Sequence, residues 1–292
     1  MRTIALCQCY NESLFIQKNI LNVYNYVDEI VISEGCLSPF GNLPQSSSDN
    51  TCDKIIDLMD NQDPQNKIKY VTAYATDKPI GNREQWEGLN KNKMLEASSI
   101  EHGDTILILD ADEFFSPSSL CNIPELFRKH NKIRHVRCEE YQFAYNLKLQ
   151  FKASHGRWMR YVDGAKFGNT NHFFWPDKQD ITKRPDIFTN RDDFPFFHLC
   201  WAKHPILIRE KVLSFNRPSF ISWFNMVYLE YPFCSDLAYK NNSIIHPYYG
   251  VGYAEGQSQK LYEYNGVLPE TLSDLEIDWM PYIIEHKKEL LI

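Results

Sequence analysis

Apolar residues in the first 115 positions form short runs that alternate with longer amphipathic segments. Runs rich in apolar residues at Ile4–Cys9, Val27–Ser33, Ile68–Val71 and Ile106–Leu109 predict strands. The unbroken run Ile106–Leu109 is typical of a strand buried on both faces of a parallel sheet. The segments between them are long enough for helices. Alternating strands and helices predict a parallel sheet with right-handed crossovers.

The intervening segments carry helix-start residues and apolar faces. The first helix follows Asn11 and Ser13, either of which could cap it. A second is predicted from Thr51 to Met59, and a third from about Arg83 to Ile100. Segments rich in Ser, Pro, Gly and Asn predict loops at Cys36–Asn50 and Tyr74–Asn82.

The second half begins with a helix at Pro117–His130 and a long strand at Ile133–Ala144. Periodicity is then lost from Asn146 to Pro195, where only short antiparallel strands at Leu149–Ala153 and Trp158–Val162 are predicted. The later predicted elements are an apolar-aromatic strand at Phe194–Trp201 and helices at Ile206–Phe215 and Ile283–Leu291. We predict one α/β domain over 1–292, with a mostly parallel central sheet flanked by helices and an antiparallel elaboration in the second half.

Composition is that of an ordinary soluble protein, apart from an excess of Tyr, Phe and Trp. No apolar run approaches the ~20 residues that span a bilayer. The N-terminal stretch does not fit a signal peptide, because Asn11 and Glu12 interrupt it early. The eight cysteines lack zinc-site spacing, which indicates reduced thiols and a cytoplasmic location.

Charge is distributed unevenly along the chain. The net charge is −7, yet residues 128–218 carry 18 Lys and Arg against 9 Asp and Glu. Overall acidity argues against a dedicated nucleic-acid binder. The basic middle segment suits an anionic ligand, and a scatter of solvated charges explains it equally well.

An acidic turn follows the fourth predicted strand. Asp110, Ala111, Asp112 and Glu113 come directly after Ile106–Leu109. Open α/β sheets bind ligands at the carboxyl ends of their strands. Hard oxygen ligands there suit Mg²⁺ or Mn²⁺ bound to a diphosphate. A solvated acidic turn is the alternative, and the added Glu113 and the core strand before it favour a metal site.

The order of these pieces resembles the metal-dependent glycosyltransferases of the GT-A fold, and in particular family-2-like enzymes. The resemblance covers Ile4–Phe115 well and Phe196–Phe215 more weakly. It implies a Rossmann-related fold with a nucleotide-sugar half (1–115), a metal and acceptor half (116–222) and a C-terminal extension (223–292). The motifs that carry it are Cys9-Tyr10-Asn11-Glu12, Ser33-Glu34-Gly35, Asn82-Arg83 with Asn90, and Leu109-Asp-Ala-Asp-Glu-Phe114.

The resemblance implies roles for particular residues. Glu34 stands where many members carry Asp, which leaves its role open. Glu113 would either bind the metal or hold the loop, and His198 would be either a further ligand or a core residue, with His172 and His204 as weaker candidates. Donor contacts are expected from Asn11, Glu12, Glu34, Arg83, Asn90 and Asp110, and metal contacts from Asp112, Glu113 and His198.

The activity implied is transfer of a sugar from a nucleoside-diphosphate sugar to an acceptor hydroxyl, with Mn²⁺ or Mg²⁺ bound and UDP favoured as the nucleotide. Inversion requires a general base, and Asp163 and Asp193 are the candidates by sequence order, followed by Glu139 and Glu140. No clear Glu-Asp signature pair is present, so retention stays open. The sequence leaves the acceptor open among a glycan, a protein, a lipid head group and a modified nucleic-acid base, and we expect the aromatic and basic stretch 146–195 to contact it.

Two other classes fit the acidic turn less well. A phosphatase or phosphotransferase of the haloacid-dehalogenase type also places Asp-x-Asp after a buried strand and uses Mg²⁺. Its nucleophile lies on the first core strand, whereas three strands are predicted before Asp110 here. A non-catalytic nucleotide- or carbohydrate-binding module has no need of the combination of Asp110, Asp112, Glu113 and His198.

Overall fold

The structure of the 292-residue chain is a computed structural model, and the description below is confined to part of it. The described residues are 1–36, 44–73, 83–169, 172–177, 180–181, 186–214, 218–230, 232 and 261–292. The loop predicted at Tyr74–Asn82 and part of the one at Cys36–Asn50 lie outside these ranges.

Strands and helices alternate through the first part of the chain, as the apolar runs predict. The elements are β1 (Thr3–Cys9), α1 (Ile16–Tyr24), β2 (Glu29–Glu34), α2 (Thr51–Asn61), β3 (Ile68–Thr72), α3 (Arg83–Ala97) and β4 (Thr105–Asp110).

The later elements are mostly strands. They are β5 (Glu113–Phe115), α4 (Pro117–Lys129), β6 (His135–Ala144), β7 (Leu149–Arg160), β8 (Lys166–Asn169), β9 (His172–Phe174), β10 (Ile187–Thr189), β11 (Phe196–Trp201), α5 (Pro205–Ser214), α6 (Pro218–Trp223), β12 (Tyr262–Glu263) and α7 (Met280–Leu290).

One sheet in the described part of the chain joins both halves, in the order β3-β2-β1-β4-β7-β6-β11-β5. The first four strands are parallel, and β7 is antiparallel to both β4 and β6. Strand β11 is parallel to β6, so β4, β6 and β11 all run in one direction. The predicted α/β architecture is confirmed, including its antiparallel elaboration. The carboxyl ends of β1, β2, β4, β6 and β11 therefore share one edge of the sheet.

Alternate residues of the central strands pack against helices on opposite faces. Ala5, Cys7, Leu107 and Leu109 belong to a buried cluster with residues of α1 and α2. Their neighbours Ile4, Leu6, Ile106 and Ile108 belong to a second cluster with Met94 and Leu95 of α3. This two-sided burial explains why the strands read as continuous apolar runs.

The structure corrects two local predictions. Neither Asn11 nor Ser13 caps α1, which begins at Ile16 without a side-chain cap. Asn11 instead has a left-handed φ of 54°, where its side chain serves the loop beside it. Strand β7 is a single strand of 12 residues, not two short ones. Its polar middle, which includes His155 and Arg157, breaks the apolar alternation because it faces the candidate site described next.

Among the helices that the structure describes, none combines the length and the apolar character needed to cross a bilayer.

A candidate active site at the carboxyl edge of the sheet

The acidic turn is held in place by α1 and β11. Strand β4 ends at Asp110, and β5 begins at Glu113. Asn19 of α1 is fully buried, and its amide donates to the carbonyl of Asp110 at 3.2 Å and to the carbonyl of Glu113. The N–H of Leu199 donates to the carbonyl of Asp112 at 2.9 Å. The turn therefore has a defined conformation, in which Asp110 and Glu113 share Arg157 as a partner and Asp112 contacts Lys203.

Arg157 links the two ends of the turn. Its guanidinium donates to Asp110 Oδ2 at 3.0 Å and contacts Glu113 Oε1, while Glu113 Oε2 accepts from the N–H of Asp110 at 3.0 Å. Both oxygens of Glu113 are thus engaged within the protein, which favours the loop-holding role over metal ligation. Burial opposes ionisation of Asp110, but Arg157 and Lys91 hold the pKa of this carboxyl below its usual value.

Lys203 joins Asp112 to Glu12. Its Nζ lies 2.6 Å from Asp112 Oδ2 and also contacts Glu12 Oε1, and the three side chains are 3–11% exposed. Despite burial, Lys203 and His198 hold the pKa of Asp112 well below its usual range. Burial raises the pKa of Glu12 to about 7, with Asp112 adding to the rise and Lys203 opposing it. Glu12 Oε2 is buried and has no hydrogen-bond partner within the described residues.

His198 is the centre of the polar cluster. Its Nε2 lies 3.4 Å from Asp112 Oδ1, and its Nδ1 lies 3.3 Å from Glu140 Oε1. Glu140 is fully buried, and its other oxygen accepts from Nδ1 of His155 at 2.9 Å. Burial disfavours the charged ring, but Cys200, Asp112 and the glutamates raise the pKa of His198 well above its usual value. Burial conversely lowers the pKa of His155, with Glu140 opposing the change.

The cluster offers donors for one metal ion. His198 belongs to each of three groups whose ligand atoms lie within 4.8 Å of one another: Asp112 with Cys200, Glu140 with His155, and Asp110 with Glu113. The 3.4 Å between Asp112 Oδ1 and His198 Nε2 is close to the ~3 Å between adjacent ligands of an octahedral ion with ~2.1 Å bonds. Of the predicted ligands, these two fit a metal best.

The predicted donor-binding residues next to β1 and β2 hold the segment that follows residue 43. Asn11 Oδ1 accepts from the N–H of Ser48 at 2.8 Å. Glu34 is fully buried, with one oxygen accepting from the N–H of Ser47 at 2.7 Å and the other from the Tyr70 hydroxyl at 3.3 Å. Both side chains are therefore engaged by the protein itself, and they shape this part of the edge.

The remaining donor candidates lie on α3 or at its start. Asn90 is fully buried on this helix, next to the equally buried Lys91. The side chain of Arg83 lies outside the described residues.

His172 and His204 were the weaker metal candidates. The side chain of His172 lies outside the described residues. The ring of His204 packs against the rings of Trp279 and Tyr282, with centroid distances of 4.8 and 4.4 Å.

The structure does not bring the two predicted bases to this cluster. Asp163 follows β7 at the amino end of β4, because the N–H of Tyr161 bonds to the carbonyl of Asp104 at 2.8 Å. Its side chain is 80% exposed and lies 3.7 Å from His102. Asp193 is exposed in the turn before β11. Asp163 lies there because β7 is antiparallel to β4 and carries its last residues to the opposite edge of the sheet.

Both tryptophans of the predicted acceptor stretch pack against other parts of the protein. Trp158 is fully buried in the core, with its ring 5.9 Å from that of Phe115. Trp175 packs against the Arg134 guanidinium, which lies 5.8 Å from its ring.

Lys203 and Cys200 were absent from the sequence prediction, and His155 was not singled out. Their signal was the presence of charged and reactive side chains within or next to apolar strands.

Comparison with known proteins gives only weak similarities. No family model and no curated protein matches the chain. Among solved structures it is similar to glucosyl-3-phosphoglycerate synthase from Mycobacterium tuberculosis in complex with Mn²⁺, UDP and glucosyl-3-phosphoglycerate (TM-score 0.31, 17% identity, covering 49% of this chain and 44% of that one). It is also similar to 4-diphosphocytidyl-2C-methyl-D-erythritol synthase (0.28, 16%, 57% and 73%) and to a putative glucose-1-phosphate thymidylyltransferase from Bacillus anthracis (0.28, 15%, 79% and 83%). The match spans less than half of glucosyl-3-phosphoglycerate synthase. Similarity scores of this size do not support an argument about activity.

Proposed function

We propose that the protein is a metal-dependent glycosyltransferase that moves a sugar from a nucleoside-diphosphate sugar, with UDP favoured as the nucleotide, to an acceptor hydroxyl. The observation that carries the proposal is the pairing of Asp112 Oδ1 with His198 Nε2, 3.4 Å apart at the carboxyl edge of the sheet. This edge is where open α/β sheets bind nucleotides. The sequence resemblance to GT-A glycosyltransferases points to the same turn.

Asp112 and His198 would hold the ion, which would supply positive charge toward the leaving diphosphate. An imidazole ligand suits Mn²⁺ better than Mg²⁺, because Mg²⁺ prefers an all-oxygen shell. Lys203 and Arg157 add fixed positive charge beside Asp112 and Asp110. Preorganised charge of this kind stabilises a developing anion without reorganisation during the reaction.

The position of Asp110 weighs against the phosphatase alternative. The nucleophile of that class lies on the first core strand, whereas Asp110 ends β4, with β1, β2 and β3 earlier in the chain. A binding module without catalysis would differ from a transferase in turnover alone, and the experiment below measures turnover.

Calorimetric titration with UDP, GDP and CDP, each with and without Mn²⁺, tests the proposal, together with release of nucleoside diphosphate from the matching sugar nucleotides. Asp112→Asn should weaken Mn²⁺-dependent nucleotide binding at least tenfold and abolish release. Asp163→Asn, an exposed carboxylate at the opposite edge, is the matched control and should behave as wild type. Binding without Mn²⁺ dependence would remove the metal from the proposal, and binding without release would favour the non-catalytic module.

A second variant separates a metal ligand from a core residue. His198→Ala should strongly weaken Mn²⁺-dependent nucleotide binding and lower the melting temperature only slightly, because Nε2 faces Asp112. A variant that unfolds but keeps its metal affinity per folded molecule would identify His198 as a packing residue.

A further inference from the structure

A transferase of the proposed kind needs a group that removes the acceptor proton, and the described site contains one that no motif identified. The paired residues Glu140 and His155 lie on the neighbouring strands β6 and β7. Glu140 is fully buried, and His155 Nδ1 lies 2.9 Å from its Oε2. A carboxylate that accepts from Nδ1 fixes the tautomer of the imidazole and leaves a lone pair on Nε2.

The same carboxylate orients two rings. The other oxygen of Glu140 lies 3.3 Å from Nδ1 of His198, whose Nε2 faces Asp112. The two imidazole rings are 5.9 Å apart, with their planes at 77°. Glu140 thus directs the Nε2 of His198 toward the candidate metal and holds His155 beside it. One buried group sets the spacing of both.

Exposure distinguishes His155 from its neighbours. The side chains of Arg157 and His198 are only 7% exposed, whereas that of His155 is 36% exposed. Ligand atoms of His155, Glu140 and His198 all lie within 4.8 Å of one another, so His155 lies beside the candidate metal ligand, at the edge where the donor is expected to bind. An acceptor hydroxyl can therefore reach this ring from solvent.

We propose that His155, oriented by Glu140, is the general base of the transfer reaction. This inference rests on the proposed glycosyltransferase function. Nε2 takes the hydroxyl proton as the acceptor oxygen forms its bond to the anomeric carbon. The bond from that carbon to the diphosphate oxygen breaks, and its electron pair leaves with the nucleoside diphosphate. The proton stays on the imidazolium beside the Glu140 carboxylate and passes to solvent after release. A single displacement of this kind inverts the anomeric configuration.

His155→Gln and His155→Gly test the assignment. Loss of a general base typically lowers the rate by about 10²–10⁴-fold. We therefore expect kcat to fall by that factor, while the Kd for UDP with Mn²⁺ stays within about twofold of wild type. Free imidazole should restore part of the activity of His155→Gly in a saturable manner, because it fits the vacated space and supplies the same nitrogen. His102→Gln is the matched control, because His102 is 68% exposed and lies at the opposite edge of the sheet.

The outcomes are separable. A wild-type protein that releases no nucleoside diphosphate from any sugar nucleotide overturns both the function and the base. An active wild type with an equally active His155→Gln overturns the base alone. A folded His155→Gly variant with low kcat, normal nucleotide affinity and no response to imidazole also overturns it, since a purely structural role accounts for that pattern. Rescue by imidazole, with an inverted product by NMR, supports it.

Discussion

Lys203 is the residue whose removal should report most directly on the electrostatics of the site. Its ammonium group lies 2.6 Å from Asp112 Oδ2 and also contacts Glu12, and all three side chains are largely buried. The substitution Lys203→Met keeps much of the side-chain volume and removes the charge. Two carboxylates that shared a cation are then left facing each other without one.

The magnitude follows from this burial. Removing one partner of a buried ion pair typically costs about 3–5 kcal/mol, because the remaining charge is uncompensated. For a chain of this size that loss corresponds to a melting temperature lower by roughly 5–8 °C. A divalent cation should offset part of the loss, because it can bind the freed carboxylates. At a Mn²⁺ concentration 100-fold above its Kd, binding to the folded state adds about 2.7 kcal/mol.

The assay is thermal unfolding, followed by circular dichroism, in EDTA and in a series of Mn²⁺ concentrations. We expect Lys203→Met to be destabilised in EDTA and to gain more from Mn²⁺ than the wild type gains. Lys129→Met is the control, because that exposed lysine lies 3.6 Å from an exposed glutamate and its loss should change the melting temperature little. A Lys203→Met variant that melts with the wild type in EDTA, or that Mn²⁺ does not stabilise further, would refute the reasoning.

Three other predictions concern stability. Arg157→Lys should destabilise the fold by about 1–3 kcal/mol in urea unfolding, since one ammonium keeps the charge but cannot bridge Asp110 and Glu113 as a guanidinium does; a cost below 1 kcal/mol would contradict this. Burial lowers the pKa of His135 to about 4. As the pH falls from about 6.5 to 4, this histidine therefore gains a proton only in the unfolded chain. The free energy of unfolding should drop by up to ~3 kcal/mol over that range. His135→Leu should flatten this part of the pH profile, and an unchanged profile would assign it to other groups. Asn22→Ala should cost about 1–3 kcal/mol, because its amide both donates to and accepts from the backbone of β5 at 3.0 Å; urea unfolding that matches wild type would show that solvent replaces these bonds.

The sequence alone predicts the parallel half of the protein. Strands β1, β2 and β4 are buried on both faces, so they are rich in apolar residues, whereas the edge strand β3 is buried at Ile68 alone. The helices between them keep a helical period. Those signals are local, and tertiary packing reinforces them. The acidic turn at Asp110–Glu113 was recognisable for the same reason, because it directly follows such a run. His198 was singled out by the resemblance, from its position within an aromatic strand.

Only the tertiary structure decided which charges meet. Lys203 contacts Glu12, 191 positions away in the chain, and Glu140 meets His155 and His198 because β6 lies between β7 and β11. Such pairings depend on strand order and register, which leave no local pattern in a sequence. The same reason explains the position of Asp163, whose antiparallel strand carries it to the far edge of the sheet. The polar residues in the middle of β7 prevented its prediction as one continuous strand, and these residues line the site. A strand that lines a polar site cannot also keep an apolar alternation.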